Sequence, residues 1–233
     1  MFPALLILAF VAAVFAQQQD QQPLISKHNL ISALKKAEII PTVLDSFHPK
    51  LALDISWKHA TAHVGNTLDP AKLQEQPKTT LSALNHDEVT SETSPLLQLG
   101  KMQLTIALTD PDAPSRKNPE WAQVCHWIAT SPPKHEKTDD EPFHADLATK
   151  HPHWKDIMPY KPPCPPPKTG KHRYVFVVLA PMNGTKEELS LIKPADRQHW
   201  GYEKADVGLR EWADEMGLEV VGANFVYAQN AEQ

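Results

Sequence analysis

The spacing of apolar residues changes period along the chain, and each change marks an element. Met1 to Ala16 is an uncharged apolar run ending in small residues, the pattern of a secretory signal cleaved near Ala16. A glutamine-rich leader follows, and Leu30, Ile31, Leu34 and Ala37 then recur at helical spacing. Ser26 is placed to cap that helix, which is expected to run to about Ile39, before Pro41. From Phe47 the period falls to that of a strand: Leu51, Leu53, Ile55 and Trp57 alternate with polar neighbours. A second alternating run, Met102, Leu104, Ile106 and Leu108, leads directly into Asp110. Gln123 to Thr130 and Arg173 to Ala180 read as further strands, the latter so apolar that both faces should be buried. Ala205, Leu209, Trp212, Ala213 and Met216 line a helical face that Gly217 stops, and Val220 to Tyr227 form a last strand. Strands with a few peripheral helices predict a mainly β or α+β domain. The expected divisions are a signal over 1–16, a leader and helix over 17–45, and one domain over 46–230.

Composition narrows the function. The chain has 233 residues and is 41% apolar, enough for a proper core. A formal charge of -5 gives no basic footprint for nucleic acid. The 22 prolines argue for turns and extended connections, and neither GxGxxG nor GxxxxGK[ST] occurs. No second long apolar run predicts transmembrane anchoring, and the protein is expected to be a secreted monomer without a cofactor. In an oxidising compartment Cys125 and Cys164 are candidates for a disulfide. Asn183-Gly184-Thr185 reads equally as a glycosylation sequon or as a plain Asn-Gly turn.

Candidate chemistry sits in a few segments. Asp110-Pro111-Asp112-Ala113-Pro114 ends a strand, and its prolines fix the backbone around two carboxylates. Cys125-His126-Trp127 places a histidine within an apolar strand. Gly170-Lys171-His172-Arg173-Tyr174 turns into the buried strand. Each alone has an ordinary structural explanation, as a turn or a satisfied core histidine. Between Ser131 and Pro167 the sequence is polar with little periodicity; 131–160 is a loop insertion, and most of Lys134 to Lys155 is read as solvated connector.

Together these segments resemble the phosphatidylethanolamine-binding protein family. The family's DPDxP segment is matched by Asp110 to Pro114 and its GxHR segment by Gly170 to Arg173. Lesser matches are Gly65 to Pro70 and Val221 to Phe225, so the likeness spans about residues 48 to 229. The resemblance implies a central β-sheet packed on a second sheet, peripheral helices, and a small pocket for phosphate or a phospholipid head group. Carried over by motif, Asp110, Pro111, Asp112, His126, His172 and Tyr174 would line it, with Tyr160 and Pro163 contributing from upstream. Asp110 would orient a histidine, receive a ligand ammonium, or share a proton with phosphate. A Cys125–Cys164 bridge would staple the unusual proline-rich loop to the pocket rim. The family also permits a different role, inhibition of a serine carboxypeptidase or another protein-binding regulation. Catalysis is not expected: there is no GxSxG elbow, and adjacent strand residues such as Cys125 and His126 face opposite ways. His144, His151 and His153 are read as loop surface, not as a metal site, because HExxH is absent.

Overall fold

In the computed structural model the described residues are 26–84, 95–132 and 153–233. The signal run, the glutamine-rich leader, His144 and His151 therefore lie outside them. Helix α1 (Lys27–Lys36) is capped by Ser26, whose hydroxyl accepts the Asn29 N–H at 3.3 Å. It ends earlier than the apolar spacing predicts, because Glu38 adopts a left-handed backbone (φ 56°). Strands β1 (Leu51–Trp57), β2 (Ala60–Thr61), β3 (Thr67–Leu68) and β4 (Lys78–Ala83) follow, then α2 (Pro95–Lys101). Strands β5 (Thr105–Asp110), β6 (Val124–Thr130), β7 (Lys155–Met158) and β8 (His172–Pro181) come next. Helix α3 (Leu209–Glu215) and β9 (Leu218–Ala228) complete the chain.

The strands form two sheets, one ordered β2-β1-β4 and a larger one ordered β3-β9-β8-β5-β6-β7. Alternation in β1 aims Leu51, Leu53 and Ile55 at the large sheet, where they meet Ile106, Leu108, Trp127, Phe176 and Val178. The other face of the large sheet carries Ala107, Cys125, Ile128, Val175 and Val177. It is covered by Leu30 and Leu34 of α1, by Trp200, and by Leu209, Trp212 and Ala213 of α3. Hence every residue of β8 is buried, as its unbroken apolar run requires. The mainly β architecture of two packed sheets with peripheral helices is the one expected.

Several boundaries need correction. Strand β5 begins at Thr105, since α2 extends to Lys101 and Met102 still bonds back to Leu99. Helix α3 excludes Ala205, because the Asp206 N–H is already committed to the Ala122 carbonyl. The sequence reading places no strand between Thr130 and Arg173, yet Lys155–Met158 pair with β6 as the edge strand β7. Its Asp156 accepts the Trp127 indole N–H at 2.8 Å, a long-range reason that no local periodicity carries.

Close packing of the sheets sets one sharp requirement. A Cβ at Gly222 would lie 2.7 Å from the Leu51 carbonyl oxygen, well inside contact distance. Gly222→Ala is therefore expected to push β9 off β1 and cost about 1–3 kcal/mol by overpacking. Urea denaturation would read this, and an unchanged midpoint would refute the close approach.

Candidate functional site

The two carboxylates of the Asp110–Pro114 turn serve neighbouring residues on opposite faces of β8. Alternation sends His172 and Tyr174 to one face and Arg173 to the other. Asp110, at the end of β5, accepts a hydrogen bond from His172 Nδ1 at 2.9 Å, with both side chains nearly sealed from solvent. Its other oxygen accepts the Asp112 N–H at 2.7 Å, which closes the turn around the buried Pro111. Asp112 in turn grips Arg173: Oδ1 accepts from Nη2 at 2.6 Å and Oδ2 from Nε at 2.9 Å. It also accepts the Arg173 backbone N–H at 2.7 Å. Arg173 Nη1 then donates to the carbonyls of Ala37 (3.0 Å) and Glu38 (2.8 Å), tying the end of α1 to the back of the site.

The acceptors around each histidine fix its protons. His172 Nε2 lies 3.1 Å from Thr169 Oγ1, whose only hydrogen is already donated to Pro166 O at 2.7 Å. The hydroxyl must therefore accept, so His172 carries a proton on Nε2 as well as the one it gives to Asp110. Burial opposes this charged ring, but the hydrogen bond and charge of Asp110, with Asp112 and the Pro114 backbone, outweigh it and raise the pKa. Asp110 thus favours the charged form of His172, and both ring nitrogens are engaged within the protein.

His126 is different. Its Nδ1 lies 2.8 Å from the Lys161 carbonyl, which can only accept, so the proton sits on Nδ1. Burial lowers the pKa of this ring, Asp110 and the Lys161 hydrogen bond oppose that, and the charges of Lys161 and Arg197 reinforce it. The neutral ring leaves Nε2 as an acceptor without a partner among the described residues. Its position is held on both sides: Lys161 N–H donates to the His126 carbonyl at 2.7 Å, and Arg197 donates to the carbonyls of Cys125, His126 and Pro159.

Tyr174 stands between the histidines, edge-on to His126 (centroids 5.3 Å apart) and stacked with His172 (6.4 Å). Its hydroxyl bonds Asp110 and the Cys164 backbone, and burial with the Asp110 charge raises its pKa. The proline run forms the adjoining wall, with Pro163 and Pro165 buried and Cys164 exposed. The C-terminal tail pins that wall, since Asn230 Nδ2 donates to Pro165 O.

Asp110, Asp112, His126, His172, Tyr174, Pro111 and Pro163 are thus gathered at one end of the large sheet. Tyr160 is not aimed at these groups: its hydroxyl donates to Leu73 O at 2.8 Å and its ring meets Trp127 edge-on. The expected Cys125–Cys164 bridge is not formed, and both thiols are free. Cys125 follows the strand alternation onto the face opposite His126, under the helices, where burial pushes its thiol up to about 12. That thiol is inert as a nucleophile or partner for Cys164. Asn183 is exposed in the turn after β8, with its Oδ1 accepting the Thr185 N–H at 3.0 Å. Among the described residues no His, Cys, Asp and Glu cluster could hold a metal, and no helix is long and apolar enough to cross a membrane. Thr169, Lys161 and Arg197 escaped the sequence reading, since two act through backbone or hydroxyl oxygen and Arg197 comes from a segment without periodicity.

Comparison with known proteins decides the family. The model for "phosphatidylethanolamine-binding protein" matches residues 54–226, most of the chain. The chain belongs to the phosphatidylethanolamine-binding protein family. A curated relative, the carboxypeptidase Y inhibitor of Saccharomyces cerevisiae, is 31% identical over 211 residues, covering 85% of this chain and 94% of the relative. The structure of carboxypeptidase Y inhibitor complexed with its cognate proteinase superposes with a TM-score of 0.67 at 26% identity. It covers 90% of this chain and 98% of its own. A phosphatidylethanolamine-binding protein from Plasmodium vivax shares the fold, with a TM-score of 0.59 at 21% identity over 86% of this chain and 97% of that one. The family is the one that the Asp110–Pro114 and Gly170–Arg173 segments resemble, and the inhibitor relative corresponds to the alternative role that the resemblance permits.

Proposed function

We propose that this chain is a secreted, non-catalytic binding protein whose pocket at His126, Asp110, His172 and Tyr174 receives the phosphoryl group of phosphate or a phospholipid head group. The observation that carries this reading is a nearly buried imidazole with one nitrogen, His126 Nε2, left unpaired beside two neutralised ion pairs. That nitrogen has no protein hydrogen bond among the described residues, so it is open to a ligand in a pocket where a few polar groups converge. Of the roles open to Asp110, the hydrogen bond to His172 favours orientation of that ring. Secretion rests on the apolar run from Met1 to Ala16.

A second reading is favoured by a separate observation, the 31% identity to carboxypeptidase Y inhibitor across nearly its whole length. On that reading the chain inhibits a carboxypeptidase. One pair of measurements separates the two: calorimetric titration with phosphate and phosphorylethanolamine, and inhibition of carboxypeptidase Y by the chain beginning at Gln17. The pocket reading expects saturable heats that strengthen as pH falls through the histidine range and vanish in Tyr174→Phe/His126→Leu. No binding by the wild-type chain, with strong inhibition unaffected by that double variant, would replace the first reading by the second.

A further inference from the structure

We infer that Asn183 carries an N-linked glycan, and that this sugar covers the exposed Met182 and Ile192 at the far end of the large sheet. The inference rests on the secretion reading, since the oligosaccharide donor is met only on an export path. Asn183-Gly184-Thr185 is the sole Asn-x-Ser/Thr sequence in the chain. Its two readings are separated by what the turn itself requires. The Gly184 N–H donates to Pro181 O at 3.0 Å, so Pro181 to Gly184 form a tight turn. The left-handed backbone falls on Gly184 (φ 67°) and not on Asn183, so the turn needs the glycine and makes no special demand for asparagine. Asn183 Oδ1 accepts the Thr185 N–H at 3.0 Å, and Thr185 Oγ1 accepts the Glu187 N–H at 3.1 Å, roles that Asp and Ser fill equally. Only the modification requires a carboxamide at the first position together with a hydroxyl at the third.

With Oδ1 committed to Thr185, Asn183 Nδ2 has no hydrogen bond among the described residues, and the side chain is exposed. Nδ2 attacks C1 of the first sugar of a lipid diphosphate-linked oligosaccharide. The N–C bond forms, the C1–O bond breaks with its electron pair leaving on the diphosphate, and one amide proton is released. The product stands clear of the pocket, because Asn183 follows Pro181 while the pocket lies at His172, the other end of a 10-residue strand about 30 Å long. Met182 and Ile192 are 55% and 68% exposed, two of the three large apolar side chains so placed among the described residues. Both border the end of α3: Met182 N–H donates to Gly217 O at 2.8 Å, and Ile192 N–H meets Met216 Sδ at 3.2 Å. The third, Trp121, is held to Ala113 O beside the pocket. Exposed apolar side chains that cluster mark a contact, and a bulky, solubilising sugar rooted next to Met182 supplies one.

Expression of the full chain in a eukaryotic secretory host tests the inference. Protein recovered from the medium is expected to lose the mass of a single glycan on treatment with peptide-N-glycosidase, which converts the linked Asn183 to an aspartate. Thr185→Ser should stay modified, whereas Asn183→Gln and Thr185→Ala should both be unmodified. An unmodified wild-type chain in the medium would overturn the inference and leave secretion standing. An unmodified chain held in the cytosol with residues 1–16 still attached would remove the secretion reading and the inference with it. For the covering, enzymatic removal of the sugar is expected to raise the fluorescence of a dye that reports apolar surface, and Met182→Ser/Ile192→Ser should cancel the rise. Fluorescence unchanged by deglycosylation would overturn the covering. Self-association of the glycosylated chain that the double variant abolishes would do the same, because a second copy would then occupy the patch.

Discussion

Asp112→Ala is expected to destabilise the protein by about 3–5 kcal/mol, among the largest effects of any single side chain here. The carboxylate is fully buried and answers both the guanidinium and the backbone N–H of Arg173. An arginine cannot shed its proton to escape burial, so removing the partner strands a charge beside the core. Arg173 would remain tethered only by two carbonyls at the end of α1, a weaker anchor for that helix. Urea denaturation of wild type and variant gives the comparison. The double variant Asp112→Leu/Arg173→Met should recover much of the loss, because apolar replacement of a buried pair is often close to neutral. A loss below about 1 kcal/mol in the single variant, the size of an exposed pair, would contradict the geometry.

Asp110→Asn should reverse the direction in which His172 is shifted. In the wild type the pKa is raised because the Asp110 hydrogen bond and charge overcome burial. With that charge gone, burial acts almost alone, and the ring should titrate below its usual value. The cost to stability is therefore smaller than for Asp112→Ala and depends on pH, since a histidine can discard its proton. A raised native pKa means that the stabilisation from His172 is complete below the unfolded value of about 6.5 and is lost as pH rises through the native pKa. In Asp110→Asn the sign inverts, and stability falls as pH drops below about 6.5. The gap in melting temperature between wild type and variant should be widest in mild acid and close toward alkaline pH. Nitrogen chemical shifts of His172 across the same range would report the ring directly. Titration of His172 at the same pH in both proteins would exclude Asp110 as the cause.

The sequence by itself determined the elements that local periodicity can specify. Alternation placed β1 and β5, β-rich runs marked β6 and β9, the apolar run of 173–180 required burial on both faces of β8, and helical spacing located α1 and α3. The Asp110–Pro114 and Gly170–Arg173 segments, in that order, identified the family and the end of the sheet where the site lies. Tertiary structure decided what depends on partners far along the chain. Strand β7 exists because β6 offers an edge and Trp127 binds Asp156, neither visible in residues 155–158 alone. The cysteines stay apart because strand alternation turns Cys125 under the helices while Cys164 lies exposed in the proline run. Most of all, the two histidines look alike in sequence, yet Asp110 raises the pKa of His172 while burial lowers that of His126. Protonation follows from which atoms surround a ring, and that is settled only when β5, β6, β8 and the loops between them are packed together.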